Sequence, residues 1–227
     1  MAKKKYFSSR EEFYNELVNI FLCNKKNKKK IIMVSGGDTP IPLYETIGQM
    51  NLNWSNFQLV LSDERDVNIN NSLSNEGSIK KLLSISSKSE SLIGLRSRNS
   101  KKIIEDIRSY DLSILGMGAD GHFASIFPKS NNLAESLDTQ KSLVYIDDGY
   151  PDVPRFSLSM NEILKAQKII LLVSNAEKLR LIQSKKLRKE YLPIDHLVER
   201  AGQNLTLMIL IEENDEVFIP NKRNSQC

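Results

Sequence analysis

The chain has 227 residues, of which 40% are hydrophobic and 26% charged, a composition that excludes disordered and fibrous proteins and fits one α/β domain over residues 1–227. Its longest apolar runs have the length of strands, so we expect no segment that spans a membrane. The net charge of +4 depends on lysines between positions 25 and 30. These lysines lack interleaved aromatic residues and therefore predict a solvated loop and no nucleic-acid-binding surface.

The N-terminal residues and the cysteines indicate a cytoplasmic protein. Lys3, Lys4 and Lys5 are followed by two aromatic and then polar residues, so the apolar stretch of a signal peptide is missing. Cys23 and Cys227 are far apart in the sequence, which disfavours a structural disulfide and excludes a C-x-x-C metal or redox site. We therefore expect a cytoplasmic protein that does not depend on disulfides.

Apolar and amphipathic segments alternate along the chain. The apolar segments predicted as strands are 31–35, 57–61, 112–115, 143–146, 169–173 and 205–211. The amphipathic segments predicted as helices are 11–23, 40–50, 75–83, 100–110 and 175–188. This alternation predicts a single doubly wound domain, in which helices flank a mainly parallel sheet. Ligands bind such sheets beyond the carboxyl ends of the strands, so the residues that follow each strand are candidates for function.

The first candidate is the loop at 35–40, with the sequence SGGDTP. Gly36 and Gly37 permit a tight turn and a close approach of the backbone to a ligand. Thr39 is placed to cap the next helix, with Pro40 at its first position. The free N–H groups of such a helix start suit a phosphate, although the loop matches neither a Walker motif nor G-x-G-x-x-G. A plain junction between strand and helix is the alternative.

The second candidate is the segment at 63–66, with the sequence DERD, after the strand at 57–61. Its three carboxylates and Arg65 could bind polar groups of a substrate or form ion pairs with one another, and the ion pairs are the favoured interpretation. Ser74 then predicts the N-cap of the helix at 75–83.

The third candidate follows the strand at 112–115, where two glycines precede Asp120 and His122. Histidine is the side chain best suited to proton transfer near neutral pH, and a neighbouring carboxylate can orient its ring. The alternative is a polar residue at the start of a helix. The other histidine, His196, follows no strand and no glycine turn, so we expect a surface or capping residue.

These segments resemble a known family. The sequence LGMGADGHFASIFP at 115–128 resembles the signature G-M-G-x-D-G-H-T-A-S-L-F-P of bacterial 6-phosphogluconolactonases, and SGGDTP resembles their S-G-G-S-T-P. Further segments that are similar to the family pattern lie at 63–65, 74–75, 151–159, 177–178 and 192–193. The resemblance covers roughly residues 30–197, in matching order and spacing.

The resemblance implies a fold shared with glucosamine-6-phosphate deaminases, and it leaves two enzymatic activities open. One is hydrolysis of 6-phospho-D-glucono-1,5-lactone to 6-phosphogluconate in the oxidative pentose phosphate pathway. The other is the isomerisation and deamination of an aminosugar phosphate, for which the family typically has glutamate where this chain has Phe127. Because deamination needs several proton transfers, Phe127 favours the lactonase. A regulator that binds a sugar phosphate without turnover is a third alternative, which the intact His122 disfavours.

The resemblance also implies roles for individual residues. The residues expected to bind the phosphate are Gly36, Gly37, Asp38, Thr39, Arg155 and Lys178. His122 is expected to act as general base, Asp120 to position it or to cap a following helix, and Arg65 to orient the substrate or to stabilise negative charge. We expect no metal and no cofactor, a small sugar phosphate as the only ligand, and a monomer.

Two positions depart from the family pattern. Asp38 stands where the family has serine, and its carboxylate would repel a phosphate unless it points away or meets a cation. Phe123 stands where the family has threonine, a change that could reshape one wall of the pocket.

Overall fold

The computed structural model describes residues 1–23, 28–86 and 89–211, and a parallel sheet lies at its centre. The strands, in chain order, are β1 (Lys3–Phe7), β2 (Lys30–Val34), β3 (Phe57–Leu61), β4 (Asp63–Arg65), β5 (Leu92–Ile93), β6 (Leu112–Leu115), β7 (Leu143–Ile146), β8 (Arg155–Leu158), β9 (Ile169–Val173) and β10 (Leu205–Leu210). Seven of these described strands form the central sheet in the order β1-β10-β9-β6-β2-β3-β5, and every neighbouring pair is parallel.

Helices cover both faces of this sheet, as the fully buried residues of β9 and β10 require. The helices, in chain order, are α1 (Arg10–Leu22), α2 (Ile41–Gly48), α3 (Asn75–Leu82), α4 (Arg98–Asp106), α5 (Leu133–Asp138), α6 (Met160–Ile163), α7 (Ala176–Gln183) and α8 (Pro193–Ala201). The predicted doubly wound fold with a mainly parallel sheet is confirmed. Over the described ranges, the structure contains no helix with the length and apolar character needed to cross a bilayer.

A second, antiparallel sheet has the order β4-β8-β7. The strand predicted at 143–146 belongs to this sheet, and its side chains alternate between buried and exposed positions because only one face of the sheet is covered. The chain passes from β3 directly into β4 through Ser62, whose N–H donates to Val34 O and whose carbonyl accepts from Leu158 N. Ser62 therefore joins the two sheets at the end of β3.

The lysine-rich segments behave differently from the sequence-based expectation. Lys3, Lys4 and Lys5 lie in the edge strand β1, which the sequence did not predict, and their exposed side chains discourage pairing with another chain. In the second cluster, the predicted solvated loop is wrong for Lys30, which is 6% exposed at the start of β2. The residues at 24–27 lie outside the described residues, as does Cys227.

Lys30 is buried because its ammonium group satisfies the end of α1. Its Nζ donates to the carbonyl oxygens of Ile20 at 2.9 Å, Phe21 at 2.8 Å and Cys23 at 2.7 Å. The last carbonyls of a helix have no partner within the helix, and a positive charge at this end also suits the helix dipole. Burial lowers the pKa of Lys30, while Asp111 opposes this effect.

Candidate active site

A cleft of about 340 Å³ opens at the carboxyl ends of the parallel strands. It lies beside the boundary between β2 and β6, where the winding of the chain changes direction and ligands bind in doubly wound sheets. Seven of the nine predicted site residues line it: Gly36, Gly37, Asp38, Thr39, Arg65, His122 and Lys178. Asp120 contacts His122 from outside this lining, and Arg155 is buried behind it.

The loop after β2 forms the first wall of the cleft. Ser35 Oγ accepts a hydrogen bond of 3.1 Å from the N–H of Gly116, which joins this loop to the end of β6. A side chain at Gly36 would place its Cβ 2.0 Å from Oδ1 of Asn75, so only glycine fits there. Gly37 has a φ of +86°, in the region that favours glycine. Both glycines are therefore required by the shape of the loop.

The helix after this loop begins one residue later than predicted. Pro40 is the N-cap of α2 and makes no side-chain capping hydrogen bond. The predicted capping by Thr39 is wrong, because the hydroxyl of Thr39 bonds instead to Ser174 Oγ at 3.3 Å. Tyr14 fixes the same turn by donating to the carbonyl oxygen of Thr39 at 2.8 Å. Thr39 therefore links α2 to the end of β9.

The first three residues of the segment DERD form strand β4, and the segment does not form the cluster of ion pairs favoured from the sequence. Within the described residues, no basic group lies within 4.0 Å of the carboxylate of Glu64, which is fully buried. That carboxylate accepts hydrogen bonds from the N–H groups of Arg65, Asn75 and Glu76 and from the hydroxyl of Ser74. Burial raises the pKa of Glu64, although these hydrogen bonds oppose the rise. Glu64 thus fastens β4 to the start of α3, where Ser74 is the N-cap as predicted.

Asp63 and Asn75 are two buried polar residues that line the cleft. The carboxylate of Asp63 accepts from the hydroxyls of Ser62 at 3.0 Å and Ser125 at 2.8 Å. Nδ2 of Asn75 donates to the carbonyl oxygen of Asp63 at 2.9 Å. These bonds connect the floor of the cleft to the loop that carries His122.

Arg65 lines the cleft, and its Nη1 donates to the carbonyl oxygen of Leu73 at 2.8 Å. Its Nε is buried and has no hydrogen-bond partner among the described residues. Arg155 lies directly opposite Arg65 in the pairing of β4 with β8. Burial lowers the pKa of Arg155, and the positive charge of Arg65 lowers it further. The two guanidinium groups are therefore neighbours, but only Arg65 faces the cleft.

His122 and Asp120 form a hydrogen-bonded pair in the loop after β6. Oδ1 of Asp120 lies 2.6 Å from Nδ1 of His122 and also accepts from the backbone N–H of His122 at 3.2 Å. Partial burial opposes the ionisation of Asp120, but the hydrogen bond and the charge of His122 outweigh it and lower the pKa of this carboxyl. The loop continues as turns until α5 begins at Leu133, so Asp120 orients His122 and caps no helix.

Phe127 supports the other side of the histidine ring. Its ring centroid lies 4.6 Å from that of His122. The guanidinium carbon of Arg155 lies 5.1 Å from the same phenyl centroid, and Nε of Arg155 donates to Val153 O. Arg155 therefore contacts Phe127 and lies beside Arg65, but it does not itself line the cleft. Phe123 is fully buried and is not among the residues that line the cleft.

Lys178 reaches the cleft from the first turn of α7. Its Nζ donates to Ser174 Oγ at 3.3 Å, and its backbone N–H is capped by Asn175 Oδ1 at 2.9 Å. Burial lowers the pKa of Lys178, whereas the charges of Asp38 and Glu177 oppose this effect. His196 lies on α8, where its ring contacts Tyr191 outside the cleft.

The residues of the cleft that were not among the predicted site residues include the polar side chains of Asp63, Asn75 and Ser174. Asp63 lies in the second candidate segment and Asn75 at the start of a predicted helix, but the sequence does not reveal that their side chains are buried. Ser174 directly follows β9, so its position at a strand end was an available signal.

Comparisons with known proteins agree with this arrangement. A family model described as glucosamine-6-phosphate isomerases/6-phosphogluconolactonase matches residues 15–207. The chain is 28% identical to a 6-phosphogluconolactonase of Caulobacter vibrioides over 199 residues, which are 79% of this chain and 86% of the relative. It is 30% identical to a 6-phosphogluconolactonase of Thermotoga maritima over 167 residues, which are 68% of this chain and 74% of the relative.

The fold is also similar to that of a solved 6-phosphogluconolactonase. A crystal structure of a 6-phosphogluconolactonase from Shewanella baltica superposes with a TM-score of 0.77 at 23% identity, over 93% of this chain and 98% of the other. With the match of the family model over residues 15–207, the chain belongs to the family of glucosamine-6-phosphate isomerases and 6-phosphogluconolactonases.

Proposed function

We propose that this chain hydrolyses 6-phospho-D-glucono-1,5-lactone to 6-phosphogluconate, the lactonase step of the oxidative pentose phosphate pathway. The observation that carries the proposal is the position of His122: paired with Asp120, it lines the same cleft as the glycine loop and Lys178. A base and an anion-binding loop in one cleft suit a phosphorylated substrate with an acyl carbon. The relatives named 6-phosphogluconolactonase support the same reaction.

The phosphate is proposed to bind at the glycine loop and the start of α2. At Gly37 the backbone is open, with no atom within 4 Å of an added Cβ, and the first N–H groups of a helix attract an anion. Lys178 supplies a positive charge at this end of the cleft, where it lines the wall beside Thr39. Because Arg155 is buried behind Phe127, we assign the second positive charge of the cleft to Arg65.

In the chemical step, His122 accepts a proton from a water molecule, whose oxygen attacks the lactone carbonyl. Since Nδ1 of His122 is engaged by Asp120, Nε2 is the nitrogen that takes this proton. The tetrahedral intermediate carries its negative charge on the former carbonyl oxygen, and the guanidinium of Arg65 stabilises it. When the intermediate collapses, the bond to the ring oxygen breaks, and the protonated His122 returns its proton to that oxygen.

Phe127 argues against the deaminase alternative. It occupies the position of a family glutamate and packs on the ring of His122, so an apolar group stands where deamination would need a further proton carrier. We propose that the enzyme acts in the cytoplasm, where charged sugar phosphates are retained, and that it acts as a monomer.

The test is the rate of opening of freshly generated lactone, corrected for spontaneous hydrolysis, in the wild type, His122→Ala and His196→Ala. We expect His122→Ala to lose about 10²–10⁴-fold in turnover, as removal of a general base does, while it still binds 6-phosphogluconate. The matched variant His196→Ala removes a histidine outside the cleft and should keep wild-type turnover. A wild type that binds the sugar phosphate but never exceeds the spontaneous rate would instead identify a non-catalytic binding protein.

A further inference from the structure

The phosphate end of the cleft contains a negative charge. Asp38 is an exposed residue of the glycine loop, between Gly37 and Thr39, and it lines the cleft. Among the described residues, its carboxylate accepts no hydrogen bond and has no basic group within 4.0 Å. An exposed, unpaired carboxylate thus lies where the proposed substrate carries its own two negative charges.

Asp38 also acts on Lys178, the cation at the same end of the cleft. Of the two carboxylates that counteract the effect of burial on Lys178, Asp38 has the larger influence and Glu177 the smaller. Only Asp38 lines the cleft, whereas Glu177 is exposed on the outer side of α7. Within the cleft, Asp38 is therefore the carboxylate with the larger effect on Lys178.

Binding of a phosphate changes the balance of these charges. A phosphate beside Lys178 supplies more negative charge than Asp38 does, so the phosphate alone stabilises the ammonium group of Lys178. The repulsion between the carboxylate and the phosphate then remains without compensation. Asp38 therefore stabilises the positive charge of Lys178 in the free protein but opposes the binding of a phosphate.

We propose that Asp38 is a specificity-determining residue that weakens the binding of phosphorylated ligands and thereby promotes release of the phosphorylated product. The inference rests on the proposed lactonase function, which supplies the ligand. The product keeps the phosphate and gains a carboxylate, so tight retention of anions would slow the next turnover. Asp38 lowers the affinity for the product at the phosphate end of the cleft and takes no part in the proton transfers of His122.

The test is titration calorimetry of 6-phosphogluconate with the wild type, Asp38→Asn, Asp38→Ser and Glu177→Gln. We expect both Asp38 variants to bind about 3- to 10-fold more tightly, the effect of removing one unit charge near a solvated phosphate. Glu177→Gln removes a charge of the same sign outside the cleft and should change the affinity less than about 2-fold. D-gluconate, which has no phosphate, should bind all four proteins equally.

Two results would overturn the proposal. Affinity for 6-phosphogluconate that is unchanged or lower in both Asp38 variants would show that the carboxylate does not oppose the phosphate. A gain in affinity on addition of Mg²⁺ that occurs in the wild type only would show that Asp38 acts through a cation. Failure of the proposed lactonase function would give a different result: the wild type would not turn over the lactone, while the Asp38 variants would still bind 6-phosphogluconate more tightly than the wild type.

Discussion

Gly118 is the residue whose replacement tests the geometry of the catalytic pair most directly. A Cβ at this position would lie 2.2 Å from both Cε1 and Nδ1 of His122 and 2.7 Å from Oδ1 of Asp120. Its φ lies outside the left-handed region, so Gly118→Ala introduces a steric conflict and not backbone strain. Ordinary contact begins at 3.4 Å, so the imidazole must move by about 1.2 Å. Because displacement of a catalytic group by about 1 Å costs about 10²-fold in rate, we expect a loss of that size.

The assay is kcat/KM for lactone opening in Gly118→Ala and in Gly116→Ala. At Gly116, in the same loop, the nearest atoms to an added Cβ are Ser35 Oγ at 3.9 Å and Gly36 O at 4.0 Å, which is ordinary contact. The Gly116 variant should therefore keep activity within a few-fold, and both variants should melt within a few degrees of the wild type. Full activity in Gly118→Ala would refute the assignment of the His122–Asp120 pair to the chemistry, since that pair cannot keep its present geometry beside an alanine.

Two further predictions concern Asp120 and Lys30. Asp120→Asn should lower kcat by about 10²-fold or more, because an amide no longer holds the required tautomer of His122. The pKa of Asp120 lies below the ordinary value for an aspartate, so this carboxylate stays ionised throughout the pH range above that ordinary value. Asp120 therefore does not set the acid limb of the wild-type profile of kcat against pH. An acid limb that disappears in Asp120→Asn would contradict this. Lys30→Met should destabilise the protein by about 1–3 kcal/mol in urea unfolding, because the carbonyl groups at the end of α1 lose a buried donor, whereas the exposed Lys29→Met should change stability little. Equal midpoints for these two lysine variants would show that the buried ammonium contributes nothing.

Much of the site was predictable because its signals are local. A parallel sheet brings the ends of its strands to one edge, so the loops that follow β2 and β6 meet wherever those strands are neighbours. Asp120 likewise lies only two residues before His122, so the local turn places it against the histidine without any distant contribution. The roles proposed for these residues still await measurement, but their meeting in one cleft follows from strand-end positions.

The parts that were not predicted depend on distant contacts. Arg155 was expected to bind the phosphate, yet it is 1% exposed and lies outside the cleft lining, because β8 pairs with β4 and Phe127 covers it. Lys30 is buried for a comparable reason, since its partners are three carbonyls at the end of another element. Strand β4 has only three residues, too few for a periodic pattern, and the partner that makes it a strand lies far along the chain.

The hydrogen bond from Gly116 to Ser35 joins residues that are 81 positions apart. A ribosome therefore completes the glycine loop long before it makes the loop that carries His122, and no fragment that ends before β6 can contain both sides of the cleft. Closing a segment of this length has an entropic cost that only the packing of the sheet between the two ends can offset. Enzymatic activity can consequently arise only in molecules in which β2 has paired with both of its neighbours, β3 and β6.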